Sequence, residues 1–176
     1  MKKPWQVAQW EVARILKAAL HPASGARPGW RSDASDGHYS FEIKFTAKRR
    51  FYLTAGMLRK IDRESVGRGH VPRLVIVFGT GTCVSLVPQW SLANAGNPTH
   101  IVTTDGQGIV LVEEEVVRWT TKGWVLVRIG KQLWSLSNVP TDAAMRRRIA
   151  AAHETPSGMK GDGGSKLSPP APQKSC

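Results

Sequence analysis

Hydrophobic and polar positions divide the chain into patterned segments. From Pro4 to Leu20 the residues Trp5, Ala8, Val12, Ile15, Leu16 and Ala19 recur at helical spacing and predict an amphipathic helix, with Pro4 in its first turn. Glu11 lies at the rim of that stripe, beside Ala8 and Ile15. His21 to Gly29 (HPASGARPG) is a loop by its prolines and glycines. Alternation then takes over: Phe41, Ile43 and Phe45 share one face of a strand, and Ser40, Glu42, Lys44 and Thr46 the other. Asp36-Gly37 predicts a two-residue hairpin turn ahead of that strand, setting Ser35 opposite His38, Ala34 opposite Tyr39 and Asp33 opposite Ser40.

Leu53 to Val66 reads as a second helix, with Leu53, Met57, Leu58 and Ile61 inward and Arg59, Lys60, Arg63 and Glu64 in water. Gly67 and Gly69 end it. The unbroken run Arg73 to Phe78 (RLVIVF) predicts a central strand covered on both faces, followed by a strand from Thr82 to Val87. Trp90 to Pro98 is a short helix or loop. From about residue 99 to 139 apolar runs separated by turn signals predict an antiparallel β extension or an added subdomain. Thr141 to Ala152 is a short helix carrying Arg146-Arg147-Arg148. From His153 to Cys176 the chain is rich in Gly, Pro, Ser and Lys, too poor in apolar residues to fold, and predicts a disordered basic tail. No internal repeat is visible in the sequence. The order gives a mixed α/β protein with residues 1–98 as a core, 99–152 as extension plus helix, and 153–176 as tail.

Charge changes this picture more than composition does. The 176 residues hold 25 Lys and Arg against 13 acids, a formal charge of +12. Such an excess points to an acidic polymer, with nucleic acid first. No stretch reaches the ~18–20 apolar residues of a membrane span, and the N-terminal region has no apolar signal segment. The two cysteines, Cys83 and Cys176, suggest neither a disulfide framework nor a zinc site, so the expected compartment is a reducing cytoplasm.

Candidate chemistry gathers on the hairpin. Its parity brings Asp33, Glu42 and Lys44 to one polar face. Two carboxylates at that separation can share a Mg²⁺, and a lysine beside them can hold or deprotonate a water. Glu11 could complete the set. Lys48, Arg49 and Arg50 follow directly, and with Arg59 and Lys60 they would hold phosphates, contacts that position nucleic acid without reading sequence. Ser24-Gly25-Ala26 has no bulk to stop a backbone coming close. The bland alternative makes Glu42 and Lys44 a surface ion pair with Asp33 as hairpin decoration. Glu113-Glu114-Glu115 also imitates a metal site, but no partner motif lies near it.

The order Glu11, Ser24-Gly25-Ala26, Asp33 and Glu42-Ile43-Lys44 resembles the PD-(D/E)xK nuclease superfamily, and most closely its archaeal and bacteriophage Holliday junction resolvase branch. The resemblance spans roughly residues 5 to 78. Ser32 stands where that pattern has proline or glycine. Asp36, a rival aspartate, falls in the turn with parity opposite to Asp33. The resemblance implies a restriction-endonuclease-like core. It implies Asp33, Glu42 and the Ile43 carbonyl as ligands of Mg²⁺, which Mn²⁺ would replace, with Lys44 near the attacking water and Glu11 as a further acid. It also implies DNA contacts from Ser24, Gly25, Arg27 and Arg31, and a homodimer cutting four-way junctions in a host-cell cytoplasm. Two alternatives stay open: a nuclease acting on ends, flaps or forks, and a non-catalytic binding module with the same fold.

Overall fold

The computed structural model describes residues 2–21, 32–93 and 96–154. The elements, in chain order, are α1 (Pro4–Leu16), β1 (Ala19–Leu20), β2 (Ala34–Ser35), β3 (Tyr39–Thr46), β4 (Arg50–Thr54), α2 (Ala55–Val66), β5 (Val71–Phe78), β6 (Cys83–Pro88), β7 (His100–Thr104), β8 (Gly108–Val112), α3 (Glu113–Thr120), β9 (Val125–Ile129), β10 (Gln132–Asn138) and α4 (Ala143–Glu154). Eight strands form one mixed sheet in the order β1-β2-β3-β5-β6-β10-β9-β7, and β4 pairs with β8 in a separate ribbon.

Each face of the sheet buries its own core. Alternation in β3 and β5 sends Phe41, Ile43, Val75 and Val77 to one side, where Ala8 and Val12 of α1 and Met145 and Ile149 of α4 cover them. Leu74, Ile76 and Phe78 go to the other side, under Leu58 and Ile61 of α2 and against Leu111, Val116 and Trp134. Two opposite apolar faces on one strand explain why β5 reads as an unbroken hydrophobic run.

Several expectations shift. The first helix stops at Leu16, because Lys17 turns into the left-handed region at φ 53° and ends it, and Ala19 and Leu20 pair with β2 instead. Leu53 belongs to β4, with Thr54 capping α2 through a 3.0 Å bond from Met57 N–H to its hydroxyl. Gln89–Ser91 is a single 3-10 turn. The segment from 99 to 139 is not an antiparallel extension. Strand β7 runs parallel to β9, and Glu113 to Thr120 form a helix whose buried Val116 joins the same core. Strands β10 and β9 continue the central sheet through the β6–β10 pairing. Helix α3 is hard to see in the sequence because the apolar run Ile109 to Val112 of β8 leads into it with no Gly, Pro or Asn between them. The last helix runs on to Glu154, past the expected start of the tail.

Candidate metal and nucleic-acid site

The site is built on the β2–β3 hairpin, whose register differs from the expected one. Ala34 pairs with Phe41 and Ser35 with Ser40, and the turn passes over Gly37-His38, with Asp36 N–H meeting Tyr39 C=O at 3.3 Å. A type I′ turn over Asp36-Gly37 needs positive φ at both residues, but only Gly37 has it, at 89°. The Asp36 carboxylate also accepts from the N–H groups of His38 and Tyr39, at 3.0 and 2.7 Å, which holds it in the turn. Moving the turn by one residue shifts the register by two, so every side chain keeps its face. The shift sets Asp33 level with Glu42 rather than with Ser40.

Asp33 is buried, and its Oδ2 accepts the Ile43 N–H at 2.8 Å. The N–H and C=O of one strand residue point to the same side, so the Ile43 carbonyl faces the edge where Asp33 sits. Glu42 and Lys44 pair in register with Leu74 and Ile76 and share their face of the sheet, under α2. Lys44 Nζ lies 2.5 Å from Glu42 Oε1. Burial pushes the Glu42 carboxyl up from its ordinary range, and the charge of Asp33 pushes it further; the hydrogen bond and charge of Lys44, and then the charge of Lys60, oppose the rise. A small recess beside Glu42 is lined by Ser32, Ser40, Ile61, Glu64, Ser65 and Arg68. The helical spacing of Ile61, Glu64, Ser65 and Arg68, along α2 and just past its end, is the sequence signal that groups them.

Glu11 is not brought to this cluster. It is fully buried between α1 and α4, where Arg14 Nε meets its Oε2 at 3.0 Å and Arg148 Nη1 meets its Oε1 at 2.6 Å. Helix α1 packs on the Phe41 and Ile43 face, opposite to Glu42 and Lys44. Arg148, more than a hundred residues away in sequence, is the partner that periodicity alone does not reveal. Among the described residues no group of three or more His, Cys, Asp or Glu is arranged to hold a metal ion. The donors that remain are two carboxylates and a backbone carbonyl.

Lys48 and Arg49, in the β3–β4 connection, and Arg50, at the start of β4, are exposed, as are Arg59 and Lys60 on α2. Arg49 is paired with Glu114 at 2.8 Å. Glu113 is buried and accepts a hydrogen bond from the Thr80 hydroxyl, so the glutamates of α3 have separate surroundings. Ser24, Gly25, Arg27 and Arg31 lie outside the described residues, as does the chain from 155 onward. No described helix is long and apolar enough to cross a membrane.

No protein-family model matches the chain, and no curated protein matches it. Among solved structures it is similar to Hjc of Archaeoglobus fulgidus, a Holliday junction resolvase from an archaeal hyperthermophile. The identity is 11% and the TM-score 0.40, over 62% of this chain and 84% of that one. A likeness at that level carries no argument about what this chain does.

Proposed function

We propose that the protein is a divalent-metal-dependent nuclease that hydrolyses phosphodiester bonds in branched DNA, four-way junctions being the first substrate to test. The observation that supports this reading is the convergence of Asp33, Glu42 and Lys44 on one half-buried position beside exposed cations. Burial, and after it the repulsion of the Asp33 carboxylate, raises the proton affinity of Glu42. A hard divalent cation would relieve the same repulsion, and Mg²⁺ commonly takes one or two carboxylates and completes its shell with water and phosphate oxygens. Asp33, Glu42 and the Ile43 carbonyl would hold it. Bound there, the ion would supply charge neutralisation at the phosphate and a more acidic water.

The chain's own groups do the rest. The Ile43 N–H fixes the Asp33 carboxylate in place. Lys44, tethered to Glu42, orients the attacking water, and Lys48, Arg50, Arg59 and Lys60 hold the phosphates on either side. Glu11 has no part in this reading, since two arginines occupy its carboxylate.

A non-catalytic DNA-binding module is the second reading. The Glu42–Lys44 ion pair and the lack of a third acidic donor among the described residues favour it. Cleavage of a labelled four-way junction, a linear duplex and a single strand separates the two. It would be run with Mg²⁺, with Mn²⁺ and with EDTA, on the wild type, Asp33→Ala and Glu42→Ala. Metal-dependent incision lost in both variants supports the nuclease. Equal binding by all three proteins with no incision under any of these conditions leaves the binding module.

A further inference from the structure

Two stretches of the chain run through the same elements. The first is β3, β4, α2, β5, β6, and the second is β7, β8, α3, β9, β10. Within each, the first and fourth members pair in parallel: Glu42 with Leu74 and Lys44 with Ile76, then His100 with Val125 and Val102 with Val127. Each closes with an antiparallel hairpin, Leu74 opposite Leu86 and Val125 opposite Leu136. Strands β4 and β8 follow connections of equal length and run straight into their helices, which matches Tyr52 with Val110.

The two units meet as a two-fold pair. Antiparallel strands related by a two-fold axis must be centred on a residue facing its own counterpart. Strand β6 meets β10 with Leu86 opposite Leu136, and β4 meets β8 with Tyr52 opposite Val110. Both registers are independent of the pairings that define the correspondence. Hydrogen bonds repeat with it: Ala55 N–H to Gln107 C=O at 2.8 Å answers Glu113 N–H to Arg49 C=O at 2.9 Å. Lys48 N–H to the Thr46 hydroxyl at 3.2 Å answers Gly106 N–H to that of Thr104 at 3.1 Å. Counterparts such as Leu53 and Leu111, or Leu58 and Val116, lie in one shared core. Between residues 42–62 and 100–120 the identities are Ile43 with Ile101, Thr46 with Thr104 and Leu53 with Leu111. That is too few to show as a sequence repeat.

The chemistry is not repeated. His100 and Val102 stand where the first unit has Glu42 and Lys44, and the His100 ring stacks on Trp119 at 4.7 Å. Strand β3 is flanked by β2, which begins beside Asp33, whereas β7 lies at an edge of the sheet with only β9 beside it among the described strands. We infer that one chain supplies both halves of a two-fold scaffold and keeps the acidic site in the first half alone, so that the protein acts as a monomer with one divalent ion and one incision per molecule. The surface through which one unit would pair with another copy is already filled by the second unit. This replaces the homodimer that the resemblance implies. The ion and the incision rest on the nuclease reading; the two-fold relation and the monomer do not.

Sedimentation equilibrium and a Mn²⁺ titration followed by electron paramagnetic resonance test it on the full chain. The expected mass is that of a 19.3 kDa monomer. One Mn²⁺ should bind per chain, be lost in Asp33→Asn and in Glu42→Gln, and persist in His100→Ala. Supercoiled circles carrying an extruded cruciform should pass to open circles before any linear form accumulates. A dimer binding one Mn²⁺ per chain overturns this inference and leaves the nuclease reading standing. Two ions per chain, one surviving Asp33→Asn, also overturns it. A monomer that binds no Mn²⁺ overturns the nuclease reading and the one-ion assignment with it.

Discussion

Replacing Glu42 by glutamine should stabilise the fold while abolishing metal binding. The carboxylate is largely buried and faces Asp33, and these two costs outweigh the attraction of Lys44 and Lys60, because its proton affinity is raised on balance. Glutamine keeps the shape and sheds the charge. What it loses is the pair with Lys44, whose side chain is 39% exposed; ion pairs of that kind are worth ~0–1 kcal/mol. A single stabilising substitution commonly yields about 0.5–2 kcal/mol, and removing this disfavoured charge should fall in that range. For a chain of this size each kcal/mol moves Tm by about 2–4 °C. The sign with pH follows from linkage. The folded state takes up its proton at higher pH than the unfolded chain, so the penalty is absent below the unfolded value of about 4.3, grows as pH rises from there, and is complete above the folded one. Calorimetric unfolding of both proteins near pH 4 and near pH 7.5 should show little difference at the first and a more stable variant at the second. Added Mg²⁺ should raise the Tm of the wild type alone. A variant that is less stable near neutrality, or a difference that ignores pH, would refute the reasoning.

Glu11→Gln should cost about 2 kcal/mol, since charge-assisted bonds are worth roughly 1.5–3 kcal/mol each but Arg14 and Arg148 regain water when released. Urea unfolding measures the loss, and Mn²⁺ binding should be unchanged. Cys83 is buried, with its thiol pushed up to about 12, so alkylation of native protein should proceed only through unfolding; rapid labelling would contradict the buried placement. Alanine at Gly81 should destabilise by about 1–3 kcal/mol. Its φ is +88° and an added Cβ would lie 2.7 Å from Arg146 Cα, so chemical denaturation of Gly81→Ala checks it. DNA affinity should fall steeply with salt, and Lys48→Ala with Lys60→Ala should flatten that slope.

The local elements of the first half were legible because each has its own period. The alternation of β3, the helical stripe of α1 and the apolar run of β5 need no tertiary information, and parity alone put Asp33, Glu42 and Lys44 on one face. A two-residue difference in register leaves that face intact, so the grouping holds with the turn at Gly37-His38 as well as at Asp36-Gly37. Long-range partners were not legible. Arg148 reaches Glu11 only because α4 packs on α1. The two-fold relation is carried by strand registers and buried positions, which constrain apolar character and not identity. Sequence by itself determined the periods, the charge and the shared polar face; tertiary structure decided that Glu11 is held by two arginines, away from Asp33 and Glu42, and that one chain folds as two matched halves, because only packing sets what lies across a sheet.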